Sequence, residues 1–169
     1  MIDILKIGFL CFAALLPVAL HGQVYGPLDS LLAAYAQETD PKAQLKTLSY
    51  LFNGVLYNEP ERARGFAQEA LHISTSAQDT PGIAMSHYHL GVFHNNSGLV
   101  DSAAYHYGLS LDIYYRIGRT EGQAMVNHAL AIMAYDQGDY PRALELIDDN
   151  IRIHSTEPQD PYRLATSYD

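Results

Sequence analysis

The sequence has no tryptophan and only one cysteine, Cys11, so the chain can form neither an internal disulfide nor a cysteine-rich metal site. Basic residues are also few: 10 Lys and Arg stand against 19 Asp and Glu, which gives a formal net charge of −9. Such a charge repels a polyanion on average, and we therefore expect no binding to nucleic acid. Hydrophobic residues make up 48% of the 169 residues, a globular composition in a chain long enough for one domain with a substantial core.

The N-terminal segment, MIDILKIGFLCFAALLPVALHGQ, contains an apolar run from residue 7 to residue 20 that follows Lys6 and precedes small and polar residues. This three-part order is typical of a secretory signal peptide, and the run is short for a membrane span. We therefore expect residues 1–22 to be a signal peptide and the protein to be exported to a periplasmic or other extracytoplasmic location. The alternative is a core helix at the same place, in which case the protein would act inside the cell.

A spacing of forty residues recurs along the rest of the chain. Residues suited to the N-cap of a helix stand at Asp40, Thr80, Thr120 and Asp160. Their short side-chain oxygens can accept a hydrogen bond from an unpaired backbone N–H at a helix start. Proline follows three of the four, and proline loses no hydrogen bond at the first helical position. The pattern predicts four helix starts at this spacing.

Each of the first three predicted helices stops near a residue type that tolerates the left-handed conformation, namely Asn58, Gly98 and Gly138. A second helix follows each stop, with an alanine near its start and an isoleucine near its end. These recurring residues are Ala63, Ala103 and Ala143, and Ile73, Ile113 and Ile153. Alanine lets two helices approach closely, so we expect the alanines at helix crossings. The repeated unit is a helical hairpin, and the expected fold class is all-α, with antiparallel hairpins stacked on one another. Gly82 and Gly122 recur at one place in the repeat and are expected to lie in turns.

This period divides the chain. Residues 23–39 are expected to form one amphipathic helix that shields the first hairpin, and the three repeats are residues 40–79, 80–119 and 120–159. Residues 160–169 correspond to the start of a fourth repeat, which the period would extend beyond Asp169. We therefore expect the parent gene to continue past this residue. Contact with a membrane is expected only through the signal peptide or through such a following segment.

The segments SHYHLGVFHNNSGLVDSAAYHYGLSL and NHALAIMAYDQGDYPRALELIDDN resemble tetratricopeptide repeats (TPRs). The family pattern has an aromatic residue, a Leu-Gly pair and a tyrosine in the first helix, and an alanine, a phenylalanine and a second alanine in the second helix. The matching residues are Leu90 with Gly91 and Leu130 with Ala131 for the Leu-Gly pair, Ala103 and Ala143 for the first alanine, and Tyr107 and Ile147 for the phenylalanine. Repeats of the HEAT type share the forty-residue length, but the GDY turn followed by alanine favours the TPR family.

The resemblance also has departures. His87 and Asn127 stand at the aromatic position, and His94 and Ala134 stand at the tyrosine position. The first repeat keeps Ala63, Phe66 and Ala70 but has Tyr50 and Leu51 in place of the Leu-Gly pair. The period of forty residues is longer than the family's usual 34, which implies longer helices or turns.

The resemblance implies a right-handed, TPR-type α-solenoid in which the first helices line a concave groove that receives a protein or peptide. The groove positions of the second and third repeats are Met85, Tyr88, Val92, Asn95, Asn96, Met125, His128, Ile132, Tyr135 and Asp136. Methionine and tyrosine offer adaptable apolar contacts, and the two asparagines can hydrogen-bond a partner's backbone. Since no Lys or Arg stands at these positions, we expect no clamp for a terminal carboxylate.

The sequence shows no catalytic motif. His87, His89 and His94 lie in one predicted helix, but no pattern of the His-Glu-x-x-His kind accompanies them, so we expect them to pack within the repeat and to bind no metal. Likewise we expect no cofactor. The arrangement of an export signal before a TPR array resembles bacterial sensor kinases, nucleotide cyclases and transcriptional regulators, which implies a non-catalytic sensory or scaffolding module.

Two alternatives stay open: an intracellular peptide-sensing TPR regulator, and a helical-repeat scaffold for an enzyme whose catalytic part lies outside this chain. The sequence assigns neither the partner's identity nor an oligomeric state.

Overall fold

The computed structural model describes residues 27–156, and this part of the chain is helical, with no β-strand. The helices are α1 (Pro27–Gln37), α2 (Pro41–Val55), α3 (Pro60–Ser76), α4 (Thr80–Asn96), α5 (Val100–Arg116), α6 (Thr120–Asp136) and α7 (Tyr140–Thr156). The all-α prediction is confirmed. The predicted signal peptide and the start of a fourth repeat, residues 160–169, lie outside the described residues.

The helices from α3 to α7 have one common length. Each has 17 residues, and they begin at residues 60, 80, 100, 120 and 140. The period of the backbone is therefore one helix and one short loop, and the forty-residue period of the sequence is two of these units.

The short loops share one way of ending a helix. After α4, Gly98 adopts φ +72°, and the N–H of Leu99 donates to the carbonyl oxygen of His94 at 2.9 Å. This is the Schellman motif, in which a left-handed residue lets the backbone turn back onto the helix end. The motif recurs after α3, α5 and α6, at Gln78, Gly118 and Gly138.

The first helix stops near Asn58, as predicted, but without a left-handed residue. Helix α2 ends at Val55, and Asn58 is not among the described residues with positive φ. Pro60 begins α3 only a few residues later, and the ring of a proline pushes the residue before it out of the helical region. The chain therefore leaves α2 through a turn, in which Glu59 donates its N–H to the carbonyl oxygen of Val55 at 2.7 Å.

The predicted N-caps have mixed outcomes. Asp40 caps α2, since its carboxylate accepts from the N–H of Ala43 at 2.9 Å. Thr80 and Thr120 are instead the first residues inside α4 and α6, and the N-cap positions belong to Asp79 and Arg119, which make no side-chain capping bond. The Schellman turn places its left-handed residue at 78 or 118, so the N-cap falls on the next residue. Asp160 lies outside the described residues.

Each described helix packs against its neighbours in the chain, and α4 also contacts α2 and α6. Ala63 and Ala103 are fully buried and Ala143 is nearly so, as close helix packing requires. One polar contact repeats between hairpin partners: the Ser110 hydroxyl donates to the carbonyl oxygen of Ala84 at 2.8 Å. Forty residues later, the Asn150 amide donates to the carbonyl oxygen of Ala124 at 3.0 Å.

Gly82 and Gly122 do not lie in turns, contrary to the prediction, but inside the first turns of α4 and α6. A Cβ atom on Gly82 would lie 2.9 Å from the Cβ of Ser74. On Gly122 it would overlap the ring of Tyr114. Both glycines therefore allow the start of one helix to lie against the end of the helix before it.

Candidate binding surface on helices α4 and α6

All ten predicted groove residues lie on α4 and α6, five on each helix, and these two helices contact each other. The α4 residues are mostly half-buried, whereas four of the five on α6 are exposed. We call the ten residues together the groove residues. Their side chains range from anchored ones on α4 to solvent-exposed ones on α6.

Tyr88 is the most constrained tyrosine among the groove residues. Its ring centroid lies 6.0 Å from that of Tyr107 and 5.8 Å from that of His89. Burial raises the pKa of the Tyr88 phenol, and the nearby Tyr57 adds to the increase. Tyr88 thus belongs partly to the core between α4 and α5 and offers only part of its ring to a partner.

The α6 residues present free apolar surface. Ile132 is 46% exposed and Tyr135 is 62% exposed. The Tyr135 ring meets the edge of Tyr140 at the start of α7, with centroids 5.4 Å apart. Two large apolar side chains one turn apart on a helix surface form a contact site that a partner could cover.

Two methionines of the groove residues meet at a small pocket. Met85 on α4 and Met125 on α6 line a space of about 260 Å³ together with Tyr114, Arg119, Glu121 and Gly122. Burial raises the pKa of Tyr114 to about 12, although the Arg119 charge acts in the opposite direction. The pocket brings a basic and an acidic side chain next to apolar ones.

The sequence did not predict Arg119, Glu121 or Tyr114 as pocket residues. It assigned the groove to the faces of the first helices, whereas Arg119 lies in the loop and Tyr114 at the end of α5. The available signal was Gly122, because a small residue at a helix start indicates that another side chain lies against it.

The Leu90–Gly91 pair has a clear physical role. Tyr107 is only 2% exposed, and its ring lies against the backbone of α4 at Gly91. A Cβ atom at Gly91 would lie 2.5 Å from the nearest ring atom of Tyr107. In the next repeat Ile147, the equivalent of Tyr107, does not take this place, since it is 45% exposed while Leu146 beside it is buried. Ile147 has the same position in α7 as Tyr107 has in α5, but it does not fill the same place in the core, where Leu146 is the buried residue.

Three histidines form a stack between α4 and α5. His106 of α5 lies between His87 and His94 of α4, with ring centroids 5.3 Å apart on each side. The Nδ1 atoms of His87 and His106 are 3.1 Å apart, a hydrogen bond in which either ring can donate, depending on the tautomer. We call these three residues the histidine stack.

The stack does not resemble a metal centre. In the described part of the chain, no three His, Cys, Asp or Glu side chains are arranged to hold a metal ion. Burial lowers the pKa of all three histidines, and the two neighbours add to the effect on His106, whose pKa falls to about 4. The rings are thus neutral at pH 7.

None of the helices between residues 27 and 156 is long and apolar enough to cross a membrane.

Comparison with known proteins gives a fold but no family. No family model matches the chain, and no curated protein matches it. A similar solved structure is that of BtubC (BKLC) from P. vanneervenii, with a TM-score of 0.65 and 17% sequence identity. The matched region covers 80% of this chain and 59% of the BtubC chain. At this identity the likeness concerns the fold alone.

Proposed function

We propose that this protein is a non-catalytic protein- or peptide-binding module, in which TPR-type hairpins stack into a right-handed α-solenoid. The groove residues on α4 and α6 form its binding surface, and the partner is an extended segment of a protein or a peptide. In this proposal no cofactor or nucleic acid takes part.

The observation that carries the proposal is the exposed apolar pair on α6 beside the half-buried residues of α4. Ile132 and Tyr135 are exposed in the second half of α6, and Met85 and Met125 line the pocket nearer the start of that helix. Exposed apolar side chains and a methionine-lined pocket along the same helix favour a binding surface over an ordinary solvated one. Asn95 and Asn96, at the end of α4, can hydrogen-bond the backbone of an extended chain.

A second part of the proposal concerns location. We propose that residues 1–22 direct export and that the module is the extracytoplasmic sensory or scaffolding part of a bacterial signalling protein. The support is the order of charge, apolar run and small residues in the N-terminal segment.

The binding proposal is tested with a displayed library of random twelve-residue peptides, selected on the mature chain. Enriched peptides are then measured on a variant with Ile132→Ala and Tyr135→Ala. Both side chains are exposed, so the variant keeps its fold. We expect the affinity to fall at least about tenfold, since each loses a large apolar contact.

The matched control is Tyr115→Ala on α5, where the tyrosine is 55% exposed, close to the 62% of Tyr135, but lies outside the groove residues. We expect full peptide affinity in this variant. If no peptide is enriched, or if both variants bind as the parent chain does, the proposed surface is wrong.

Export is tested separately by expressing the full chain in a bacterium and sequencing the N-terminus of the periplasmic product. We expect a new N-terminus close to residue 23. A cytoplasmic product that retains Met1 would refute export and leave the binding proposal untouched.

A further inference from the structure

We propose that the histidine stack is an acid-sensitive latch that holds α4 against α5 at neutral pH and releases this contact on acidification. The three rings come from two helices: His87 and His94 lie on α4, and His106 lies on α5 between them. The inference does not depend on the binding proposal, because it concerns the packing of these two helices.

At neutral pH the three rings attract one another. Uncharged imidazoles stack favourably, and the His87–His106 hydrogen bond needs one ring to donate and the other to accept. The Tyr105 ring meets His106 edge-on at 5.3 Å between centroids, which holds the middle ring in place.

Acid removes these interactions in steps. A first proton can be accommodated, since a protonated ring still donates to its neutral neighbour. When both rings are protonated, each nitrogen is a donor, so two N–H groups face each other across 3.1 Å and the bond is lost. A charge on His94 then adds repulsion at a centroid distance of 5.3 Å from His106.

Within residues 27–156, no acidic group is among those that shift the pKa of the three histidines. The groups that act on the stack are Arg64 from α3, which lies over the ring of Phe93 and disfavours a charge on His94, and the three histidines themselves. Tyr105 adds only a neutral ring. The Nδ1 atom of His94 is buried without a hydrogen-bond partner, so a proton there would lack an acceptor.

The direction in which stability changes with pH follows from the linkage between proton binding and folding. The histidines bind protons more weakly in the folded state than in the unfolded state, where their pKa is 6.5. Stability is therefore complete above about pH 6.5 and falls progressively as the pH drops toward the folded pKa of His106, about 4. Buried His89 changes in the same direction, so a variant is needed to separate the stack from it.

The experiment compares the unfolding equilibrium at pH 7.5 and pH 5.0, by urea titration, for the parent chain and for His106→Phe. Phenylalanine keeps an aromatic ring in the stack but cannot be protonated. The unfolding constant of the parent chain should rise between pH 7.5 and pH 5.0. In His106→Phe we expect this rise to be about tenfold smaller, after allowance for the partial exposure of His106. Exchange of backbone amides in α4 and α5 should become faster at pH 5.0 in the parent chain, after correction for the intrinsic rate, and much less so in the variant.

His72→Phe is the control, because it removes an exposed histidine from α3, outside both the stack and the groove residues. It should retain the full pH dependence. Equal pH dependence in the parent chain and in His106→Phe would overturn the proposal, as would an equal loss in both variants. If His106→Phe does not fold, the imidazole NMR titration of the parent chain decides, and a His106 pKa at or above 6.5 would refute the latch.

Discussion

The second and third repeats share a backbone frame but differ in how their interiors are filled. In residues 80–119 an aromatic side chain, Tyr107, lies against a glycine of the facing helix. In residues 120–159 the equivalent residues are Ala131 and the exposed Ile147, and the core uses Leu146. Both repeats nevertheless have helices of 17 residues with the same type of loop. The loops and helix lengths therefore set the period, and the core of each repeat adapts to it.

The largest expected effect compares Tyr107→Ala with Ile147→Ala. The first change removes a buried ring and leaves a cavity, and we expect a loss of about 3–5 kcal/mol in the free energy of unfolding. The second trims an exposed side chain, and we expect about 1 kcal/mol or less. Urea titration of both variants measures the difference. Similar losses would show that the Ile147 side chain is also buried in solution.

The next effect concerns Gly91→Ala, which would force a methyl group against the Tyr107 ring. We expect a net loss of about 1–2 kcal/mol, because overpacking outweighs the better helix propensity of alanine. Gly108→Ala in α5 is the control, since a Cβ atom there meets nothing within 4 Å, and it should stabilise the helix by roughly 0.5–1 kcal/mol. A stabilising Gly91→Ala would show that Tyr107 moves aside without cost.

A smaller effect separates the two repeated polar contacts between hairpin partners. Ser110→Ala removes a buried hydrogen bond to Ala84, and we expect a loss of about 1 kcal/mol. Asn150→Ala should cost less, because the Oδ1 atom of Asn150 is buried without a partner, and its removal offsets part of the lost bond. Thermal unfolding of both variants checks this order, with exposed Ser102→Ala as the neutral reference. A larger cost at Asn150 would contradict it.

The smallest effect concerns the loop after α3, where Gln78 adopts φ +53° in a place that glycine occupies after α4, α5 and α6. A side chain in this conformation costs about 1–2 kcal/mol, and glycine adds about 0.4–1 kcal/mol of freedom to the unfolded chain. We therefore expect Gln78→Gly to stabilise the protein by about 0.5–1 kcal/mol in urea titration. The reverse change, Gly118→Gln, should destabilise it. Destabilisation by Gln78→Gly would mean that the Gln78 side chain makes a favourable contact.

How well the sequence predicts a structural feature depends on how local that feature is. Asp40 caps α2, and Gly98 and Gly138 end their helices in the left-handed conformation, as predicted, because capping needs only residues a few places apart. The N-caps at Thr80 and Thr120 were displaced by one residue, since the preceding turn decides where the next helix begins. The ten groove residues do lie on two adjacent helices. Whether they bind a partner stays a prediction.

By itself, the sequence determined the all-α class, the number of helices between residues 40 and 156, and the small residues at their crossings. These features follow from hydrophobic spacing, proline and glycine, which act within one or two turns of the chain. Only the tertiary structure decided that His106 lies between two histidines of α4 and that Tyr107 lies against Gly91. It also decided that Arg119 lines the pocket between Met85 and Met125. The physical reason is the geometry of the helix, in which each residue turns the chain by about 100°. The repeat period therefore matches positions in successive helices, but it does not determine which neighbouring side chain each residue contacts. Leu146 and Ile147, adjacent in the chain and opposite in burial, show this most directly.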